Sequence, residues 1–379
     1  MRALTDARVL IDSRFEAGRA VLIDGATIVA VVDERDVPAD AARQSLHDAM
    51  LVPGFIDTQV NGGGDALFND DPSVATIRRI GAAHARFGTT GFLPTLISDD
   101  LDVIRAAIAA VEDAIAEGVP GVLGIHIEGP FINVERKGIH AADKIRAIDD
   151  EGLAVLCSMR RGRTLVTLAP ELAGAGVIER LVAAGVTVAA GHTAGSYDAV
   201  RAGIAAGLTG FTHLFNAMSQ LGNREPGAVG AALASDDVWC SLIVDGHHVS
   251  PVTLRLALRC KPHDRFILVT DAMPPTGGVA SSFALNGRRI HVADGRLVDD
   301  AGTLAGADLD MLTAVRNAHE MLDIPREAAF AMAGANPAAF IGLGGNLGRI
   351  APGHRASLVA IDDDWAIRHR WIDGVAIEG

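Results

Sequence analysis

Residues 187–213 read TVAAGHTAGSYDAVRAGIAAGLTGFTH. This stretch contains a short apolar run at 187–190, an alanine-rich segment and a second apolar run at 210–212, and the histidines His192 and His213 follow the two runs. Short apolar runs separated by a segment of helical period predict two parallel strands joined by a helix.

The same alternation extends along the middle of the chain. One helical segment, 100–117, carries apolar residues along one side and predicts an amphipathic helix. The candidate strands are 52–56, 91–96, 122–127, 164–168, 187–190, 210–212, 239–244 and 265–270. Eight such units over about 290 residues predict an α/β fold with a (β/α)₈ TIM-like barrel. A doubly wound sheet is the alternative, but no complete dinucleotide-binding glycine pattern follows the first strand.

The two ends of the chain have a different pattern. Residues 7–34 contain short β-branched runs separated by turn residues. Residues 356–361 and 371–377 show the same pattern as 7–34. We therefore expect a small β-sandwich domain built from both termini, with 1–51 and 345–379 in it and 52–344 in the barrel. Two unrelated small sheets are the alternative.

Composition restricts the partners and the compartment. The 379 residues include 33 Lys and Arg against 47 Asp and Glu, a net charge of −14. This sign argues against nucleic acid or an anionic membrane as the main partner. Cys157, Cys240 and Cys260 form no CxxC pair, no signal peptide is evident, and no apolar run is long enough to span a membrane. These features predict a soluble cytoplasmic protein.

Polar residues follow most of the candidate strands, where a barrel places its active groups. They are Asp57, Gln59, Asn61, Glu128, Glu171, His192, His213, Asp245, His247, His248 and Asp271. His192 and His213 end consecutive strands, so their imidazoles can share one ion with the carboxylate of Glu128. Two histidines and one carboxylate form a catalytic zinc set with one open position. Asp271 can then accept a proton from water. Core histidines and a helix-capping aspartate are the alternatives.

Several motifs stand in an order that resembles a known family. They are LVPGFID at 51–57, HIEGPF at 126–131, GHT at 191–193, THLFNAM at 212–218, DGHH at 245–248, TDA at 270–272, NPA at 336–338 and GRIAPG at 348–353. The set resembles the amidohydrolase superfamily and, within it, the deacetylases of N-acetylglucosamine 6-phosphate. The resemblance covers nearly the whole chain.

The resemblance implies roles residue by residue. Glu128, His192 and His213 would hold the metal, Asp271 would be the catalytic acid and base, and His140 would contact the sugar and polarise the acetyl carbonyl. The remaining implied substrate-binding residues are Ile139, Asn216, Ala217, Arg224, His248, Leu304, Ala305 and Gly306. Only the resemblance selects His248 over His247, and only the resemblance assigns His140 and Arg224.

The implied reaction is metal-dependent hydrolysis of the acetamide of N-acetyl-D-glucosamine 6-phosphate, in amino sugar catabolism or cell-wall recycling. The implied assembly is a homodimer in which phosphate-binding residues are shared across the interface. Alternatives are a deacetylase of another phosphosugar such as N-acetylgalactosamine 6-phosphate, a cyclic-amide hydrolase, or a sugar sensor without activity. Asp271 argues against the sensor, because a protein that only binds a sugar needs no proton acceptor at the metal.

Two positions depart from the superfamily pattern. Most members carry His-x-His after the first strand for a second metal, whereas this chain has Gln59 and Asn61. Neutral amides are weak zinc ligands beside imidazole. We therefore expect one divalent ion per subunit, with Zn²⁺ the expected ion and Fe²⁺, Co²⁺ or Mn²⁺ as alternatives. The stretch 307–311 also departs from the pattern, and the sequence assigns it no role.

Overall fold

The computed structural model describes residues 1–377, which form four sheets and a set of helices around them. The strands are β1 (Arg2–Ile11), β2 (Arg14–Glu16), β3 (Arg19–Asp24), β4 (Thr27–Asp33), β5 (Ala42–Pro53), β6 (Phe55–Val60), β7 (Gly62–Gly63), β8 (Ala66–Leu67), β9 (Thr89–Ile97), β10 (Gly124–Glu128), β11 (Arg163–Leu168), β12 (Thr187–Ala190), β13 (Gly210–Phe211), β14 (Trp239–Leu242), β15 (Phe266–Leu268), β16 (Ser282–Leu285), β17 (Arg288–Ala293), β18 (Arg296–Asp299), β19 (Leu304–Ala307), β20 (Leu358–Ile361), β21 (Ile367–Ile372) and β22 (Val375–Ala376). The α-helices are α1 (Val74–Ala85), α2 (Leu101–Ala116), α3 (Asp150–Leu156), α4 (Pro170–Ala173), α5 (Ala175–Ala183), α6 (Tyr197–Ala205), α7 (Gly227–Leu233), α8 (Pro251–Leu258), α9 (Met311–Leu322), α10 (Arg326–Ala333) and α11 (Ala335–Phe340).

Eight parallel strands form a barrel in the order β6, β9, β10, β11, β12, β13, β14 and β15. The residues after β15 return to the first strand and complete the ring. The Asp271 N–H donates to the Gln59 carbonyl at 3.1 Å, and the N–H groups of Asn61 and Gly62 both donate to the Ala272 carbonyl at 2.9 Å. The predicted α/β barrel is confirmed, and the helix predicted at 100–117 is α2.

The first barrel strand differs from the predicted one at 52–56. Pro53 is the last residue of β5, which belongs to another sheet, and the barrel strand β6 begins after Gly54. Because the residues on both sides of Gly54 are buried, their hydrophobic pattern shows no boundary. Asp57 and Gln59 consequently lie within β6 rather than after it. The other seven predicted strands each overlap a barrel strand.

Strands from both ends of the chain form a second sheet in the order β22, β21, β20, β5, β1, β3 and β4, with β2 paired to β1. β20 runs antiparallel to β5, which places Leu358 opposite Pro53. This sheet has an apolar core of its own, in which Trp371 is fully buried. The predicted β-rich part is therefore present, whereas the division into 1–51 with 345–379 and 52–344 stays a prediction.

A small antiparallel sheet of β16, β17, β18 and β19 was not expected. Its first two turns are the pairs Asn286-Gly287 and Asp294-Gly295, and all four residues have positive φ. Such pairs between short alternating runs are a sequence signal for two-residue hairpins. The sheet packs its apolar side chains near Met273, at the carboxyl end of the barrel.

Two further features of the structure concern the pairing of the cysteines and the length of the helices. Cys157, Cys240 and Cys260 are free thiols, and Cys240 is buried. Among residues 1–377, no helix is both long enough and apolar enough to cross a lipid bilayer.

Candidate active site

A cavity of about 210 Å³ opens at the carboxyl ends of the barrel strands. The predicted site residues on its wall are Glu128, Ile139, His140, His192, His213, Asn216, Ala217, His248, Asp271, Leu304 and Gly306. Two predicted substrate-binding residues are not part of this wall. Ala305 is fully buried beside it, and Arg224 is exposed on the loop before α7.

Glu128, His192 and His213 present three ligand atoms to one point. Glu128 is the last residue of β10, and the histidines follow β12 and β13. The two Nε2 atoms lie 3.1 Å apart, and they lie 3.1 Å and 2.9 Å from the Glu128 Oε1. Ligands about 2.0–2.1 Å from a tetrahedral zinc ion are about 3.3 Å from one another. The three atoms therefore fit three corners of a tetrahedron around a metal ion.

The protonation of His192 also suits a metal ligand. Its Nδ1 lies 2.8 Å from the carbonyl oxygen of Arg136, which can only accept a hydrogen bond. Nδ1 thus carries the ring proton, and Nε2 keeps its lone pair for an ion. A backbone carbonyl behind a ligating imidazole is the usual way to fix the ring tautomer.

A second set of ligand atoms, from Glu128, His140 and His192, also lies within 4.8 Å of one another. The surroundings of His140 favour a different role for its ring. Its Nδ1 accepts from the Ser98 hydroxyl at 2.7 Å and from the Ser98 N–H at 3.3 Å, so the proton of the neutral ring is on Nε2. Burial lowers the pKa of His140 well below its ordinary value, which keeps the ring neutral. His140 is therefore best suited to donate a hydrogen bond.

Asp271 is held beside the ligand triangle by amide groups. Its Oδ1 accepts from the Asn61 Nδ2 at 2.7 Å and from the Gln59 Nε2 at 3.1 Å. Burial raises the pKa of Asp271 to about 6, and the negative charge of Glu128 contributes to the rise. A carboxyl group with a raised pKa is a better proton acceptor and donor near neutral pH.

The stretch 307–311, to which the sequence assigned no role, fixes the backbone of Asp271. The Ala307 N–H donates to the Asp271 carbonyl at 2.9 Å, and the Met273 N–H donates to the Ala307 carbonyl at 3.1 Å. Asp310 caps α9 by accepting from the Thr313 N–H at 2.8 Å. The segment thus extends the strand pairing past the end of the barrel.

The histidine pair at 247 and 248 is distinguished by the structure. His248 is on the cavity wall, and its Nδ1 lies 2.6 Å from the Asp245 Oδ2. His247 is exposed and is not part of the wall. The structure thus places on the cavity wall the histidine that the resemblance selected, and its role in binding substrate stays a prediction.

Glu171 follows β11 and had no predicted role beyond its place at a strand end. Its carboxylate accepts from the Thr193 hydroxyl at 2.5 Å, the Ala194 N–H at 2.8 Å and the Asn133 Nδ2 at 3.0 Å. These contacts fix the loop that begins at His192. The sequence signal for a role of Glu171 at the site is its position after a predicted strand.

The fold and the site together define a class of protein. A parallel barrel with two histidines, a carboxylate and a second acid at its carboxyl rim is typical of metal-dependent hydrolases. The chain belongs to the amidohydrolase family, whose model matches residues 50–379. The family resemblance of the sequence is therefore confirmed.

Named relatives are similar over most of their length. The N-acetylgalactosamine-6-phosphate deacetylase of Shewanella sp. (strain ANA-3) is 43% identical over 336 residues, which cover 89% of this chain and 85% of the relative. The N-acetylglucosamine-6-phosphate deacetylase of Haemophilus influenzae is 34% identical, with 94% and 93% covered. The crystal structure of N-acetylglucosamine-6-phosphate deacetylase from Pasteurella multocida superposes with a TM-score of 0.96 at 34% identity, with 100% of both chains covered.

The buried carboxyl group of Asp57, in β6, makes the stability of the protein depend on pH. Burial raises the pKa of Asp57 to about 7, although the Thr270 hydroxyl, at 2.5 Å, opposes the rise. The folded state thus keeps a proton that the unfolded state releases above about pH 4, so this group lowers stability as pH rises toward 7. We expect the unfolding free energy of the wild type, relative to that of Asp57→Asn, to fall by about 2–3 kcal/mol between about pH 5 and about pH 7.5.

Chemical denaturation of both proteins across this pH range, in the same metal-loaded form, measures the difference. The amide introduced by Asp57→Asn does not titrate, so this variant supplies the baseline. Parallel pH curves would show that Asp57 is already ionised in the folded protein.

Proposed function

We propose that the protein hydrolyses the acetamide of N-acetyl-D-glucosamine 6-phosphate to D-glucosamine 6-phosphate and acetate. The observation that carries the proposal is the triangle of Glu128, His192 and His213 with Asp271 beside it on the wall of one cavity. The Haemophilus influenzae and Pasteurella multocida proteins with this name support it, since each matches this chain over more than nine-tenths of its length.

The second candidate substrate is N-acetylgalactosamine 6-phosphate. It is favoured by the Shewanella relative of that name, which is 43% identical to this chain. The two sugars differ in the configuration of one ring hydroxyl and carry the same acetamide. The same hydrolytic groups would serve both reactions, so substrate choice depends on contacts to the ring.

The proposed reaction needs a metal, a proton carrier and a donor to the carbonyl. Glu128, His192 and His213 would hold a divalent ion, which lowers the pKa of bound water and polarises a carbonyl group. Asp271 accepts a proton from the water molecule that attacks the acetamide carbon, and then returns it to the departing amine nitrogen. The Nε2–H of His140 donates to the acetamide oxygen as negative charge develops there.

The ring and phosphate contacts complete the proposal. Asn216, Ala217, Leu304 and Gly306 face the same cavity and would contact the sugar. Ala305, between Leu304 and Gly306, is fully buried and would shape this wall. We further propose zinc as the ion, a cytoplasmic location, and a homodimer in which phosphate-binding residues are shared across the interface.

Acetate release from a panel of four sugars tests the proposal. The panel contains N-acetylglucosamine and N-acetylgalactosamine, each with and without the 6-phosphate. We expect the highest kcat/KM with N-acetylglucosamine 6-phosphate. A higher value with N-acetylgalactosamine 6-phosphate would establish the second candidate, and no acetate from any of the four would refute both.

Replacing Asp271 tests its role as the proton carrier. Asp271→Asn keeps the shape of the side chain but cannot accept a proton from water. We expect kcat to fall by about 10²–10⁴-fold, the usual contribution of a general acid or base. Bound metal and melting temperature, measured on the same samples, should change little. Retained activity would mean that the proton passes through another group, such as His140.

The metal content tests the ligand set. Since Gln59 and Asn61 offer only neutral amides, we expect a ratio near one ion per chain after dialysis against metal-free buffer. The double change Gln59→His with Asn61→His should raise the ratio toward two. Elemental analysis of both proteins gives the ratios, and a wild-type ratio of two with both ions needed for activity would contradict the prediction.

Arg224 tests how the phosphate is bound. The residue is exposed and outside the cavity wall of its own subunit. If it reaches the phosphate of a substrate in a second subunit, Arg224→Ala should lower kcat/KM for the phosphorylated sugar by roughly ten- to a hundredfold, since a contact to a charged group is worth about 1.5–3 kcal/mol. The unphosphorylated sugar serves as the control. Equal losses with both sugars would argue against a phosphate contact.

A further inference from the structure

Two buried amide side chains face the carboxylates of the site. Gln59 and Asn61 are 1% and 2% exposed. The Gln59 Nε2 lies 3.3 Å and 3.2 Å from the two Glu128 oxygens and 3.1 Å from the Asp271 Oδ1. The Asn61 Nδ2 lies 2.7 Å from the same Oδ1. Two N–H groups therefore converge on one oxygen of Asp271.

The orientation of these amides is set by the carboxylates. An amide nitrogen carries two donors and its oxygen only accepts, so a reversed amide would place oxygen against a carboxylate oxygen. The observed orientation leaves the Gln59 Oε1 and the Asn61 Oδ1 buried and without a hydrogen-bond partner among residues 1–377. Buried polar atoms are rarely left unpaired, so the contacts to the carboxylates outweigh this loss.

The arrangement has a consequence for proton transfer. Gln59 lies between Glu128 and Asp271 and can donate one hydrogen to each, which reduces the repulsion between their charges. The Asp271 Oδ1 is occupied by two donors, and its carboxyl plane is fixed by them. Its other oxygen, Oδ2, is then the one that remains available to a water molecule.

We infer that Gln59 and Asn61 are positioning residues, which hold the Asp271 Oδ1 and present Oδ2 to the attacking water. This inference rests on the proposed function, because it concerns the proton carrier of that reaction. Asn61 also lines the cavity, so a direct contact to substrate is the competing explanation that the experiment must separate.

The kinetic test compares Asn61→Ala and Asn61→Asp with the wild type, each assayed with the phosphosugar and analysed for bound metal. We expect kcat to fall about 10–100-fold with KM within about threefold, as for a misplaced reacting group. Asn61→Asp keeps the shape but loses the donors, so it should lose at least as much as Asn61→Ala. Near-wild-type kcat in Asn61→Asp would overturn the inference.

Asn69→Ala is the matched control. The Asn69 Nδ2 donates to the Ile97 carbonyl at 3.2 Å, near the same end of the barrel, and touches neither Glu128 nor Asp271. Its kcat should stay within about threefold of the wild type. An equal fall in kcat for Asn69→Ala and Asn61→Ala would mean that loss of any amide here is disruptive, and would overturn the inference.

Substrate affinity in the Asp271→Asn background separates positioning from a substrate contact. If Asn61 acts only through Asp271, adding Asn61→Ala to Asp271→Asn should leave the Kd for the phosphosugar within about twofold. A tenfold or larger loss of affinity would assign Asn61 to substrate binding instead.

A thermal-unfolding cycle needs no substrate. The fall in melting temperature caused by Asn61→Ala should be at least twice as large in the wild type as in Asp271→Asn, because only the charged carboxylate depends strongly on the donors. Equal falls would overturn the inference. If the wild type deacetylates none of the sugars, the proposed function fails, and this cycle still decides whether Asn61 supports Asp271.

Discussion

The barrel is closed by hydrogen bonds between β6 and the residues after β15, and the site exists because of that closure. The Asp271 N–H donates to the Gln59 carbonyl, which joins residues more than 200 positions apart in the chain. The carboxyl group of Asp57 strengthens the junction through the Thr270 hydroxyl. Since parallel strands bring their carboxyl ends to one rim, Glu128 of β10 enters the same space. The contacts that close the barrel therefore also bring the residues of the site together.

The strand ends explain why much of the site could be predicted. Period-two strands followed by single polar residues placed Glu128, His192 and His213 on one rim from the sequence alone, and the structure brings their ligand atoms within 3.1 Å of one another. The start of the first barrel strand could not be predicted in the same way, because β5 and β6 form one buried run through Gly54.

Other features depend on contacts that no local pattern contains. The ring proton of His140 is placed by Ser98, which is 42 residues away, and the exposure of Arg224 follows from the path of a loop. The sheet of β16 to β19 is different, because its Asn-Gly and Asp-Gly turns are a local sequence signal for two-residue hairpins.

Three residues of the site have a backbone conformation that is uncommon outside glycine. His192, His213 and Asp271 have φ values of +48°, +36° and +52°, a region that residues other than glycine seldom adopt. Such residues persist only where surrounding contacts fix them. The Ser241 hydroxyl accepts from the His213 N–H at 2.7 Å, and Ala307 holds the Asp271 carbonyl. Stability elsewhere in the barrel thus offsets the cost of aiming these side chains inward.

The net charge of −14 and a phosphorylated substrate are compatible for a geometric reason. A polyanion contacts a large area of the protein and interacts with the average charge of that surface. One phosphate group contacts only the few residues at its binding site. Charges on the outer surface are screened over about 8 Å at physiological salt. The wall of the cavity instead contains the imidazoles of His140, His192, His213 and His248, and its two carboxylates are occupied by hydrogen-bond donors. The sign of the whole protein therefore argues against extended anions as partners, and it does not argue against a small one.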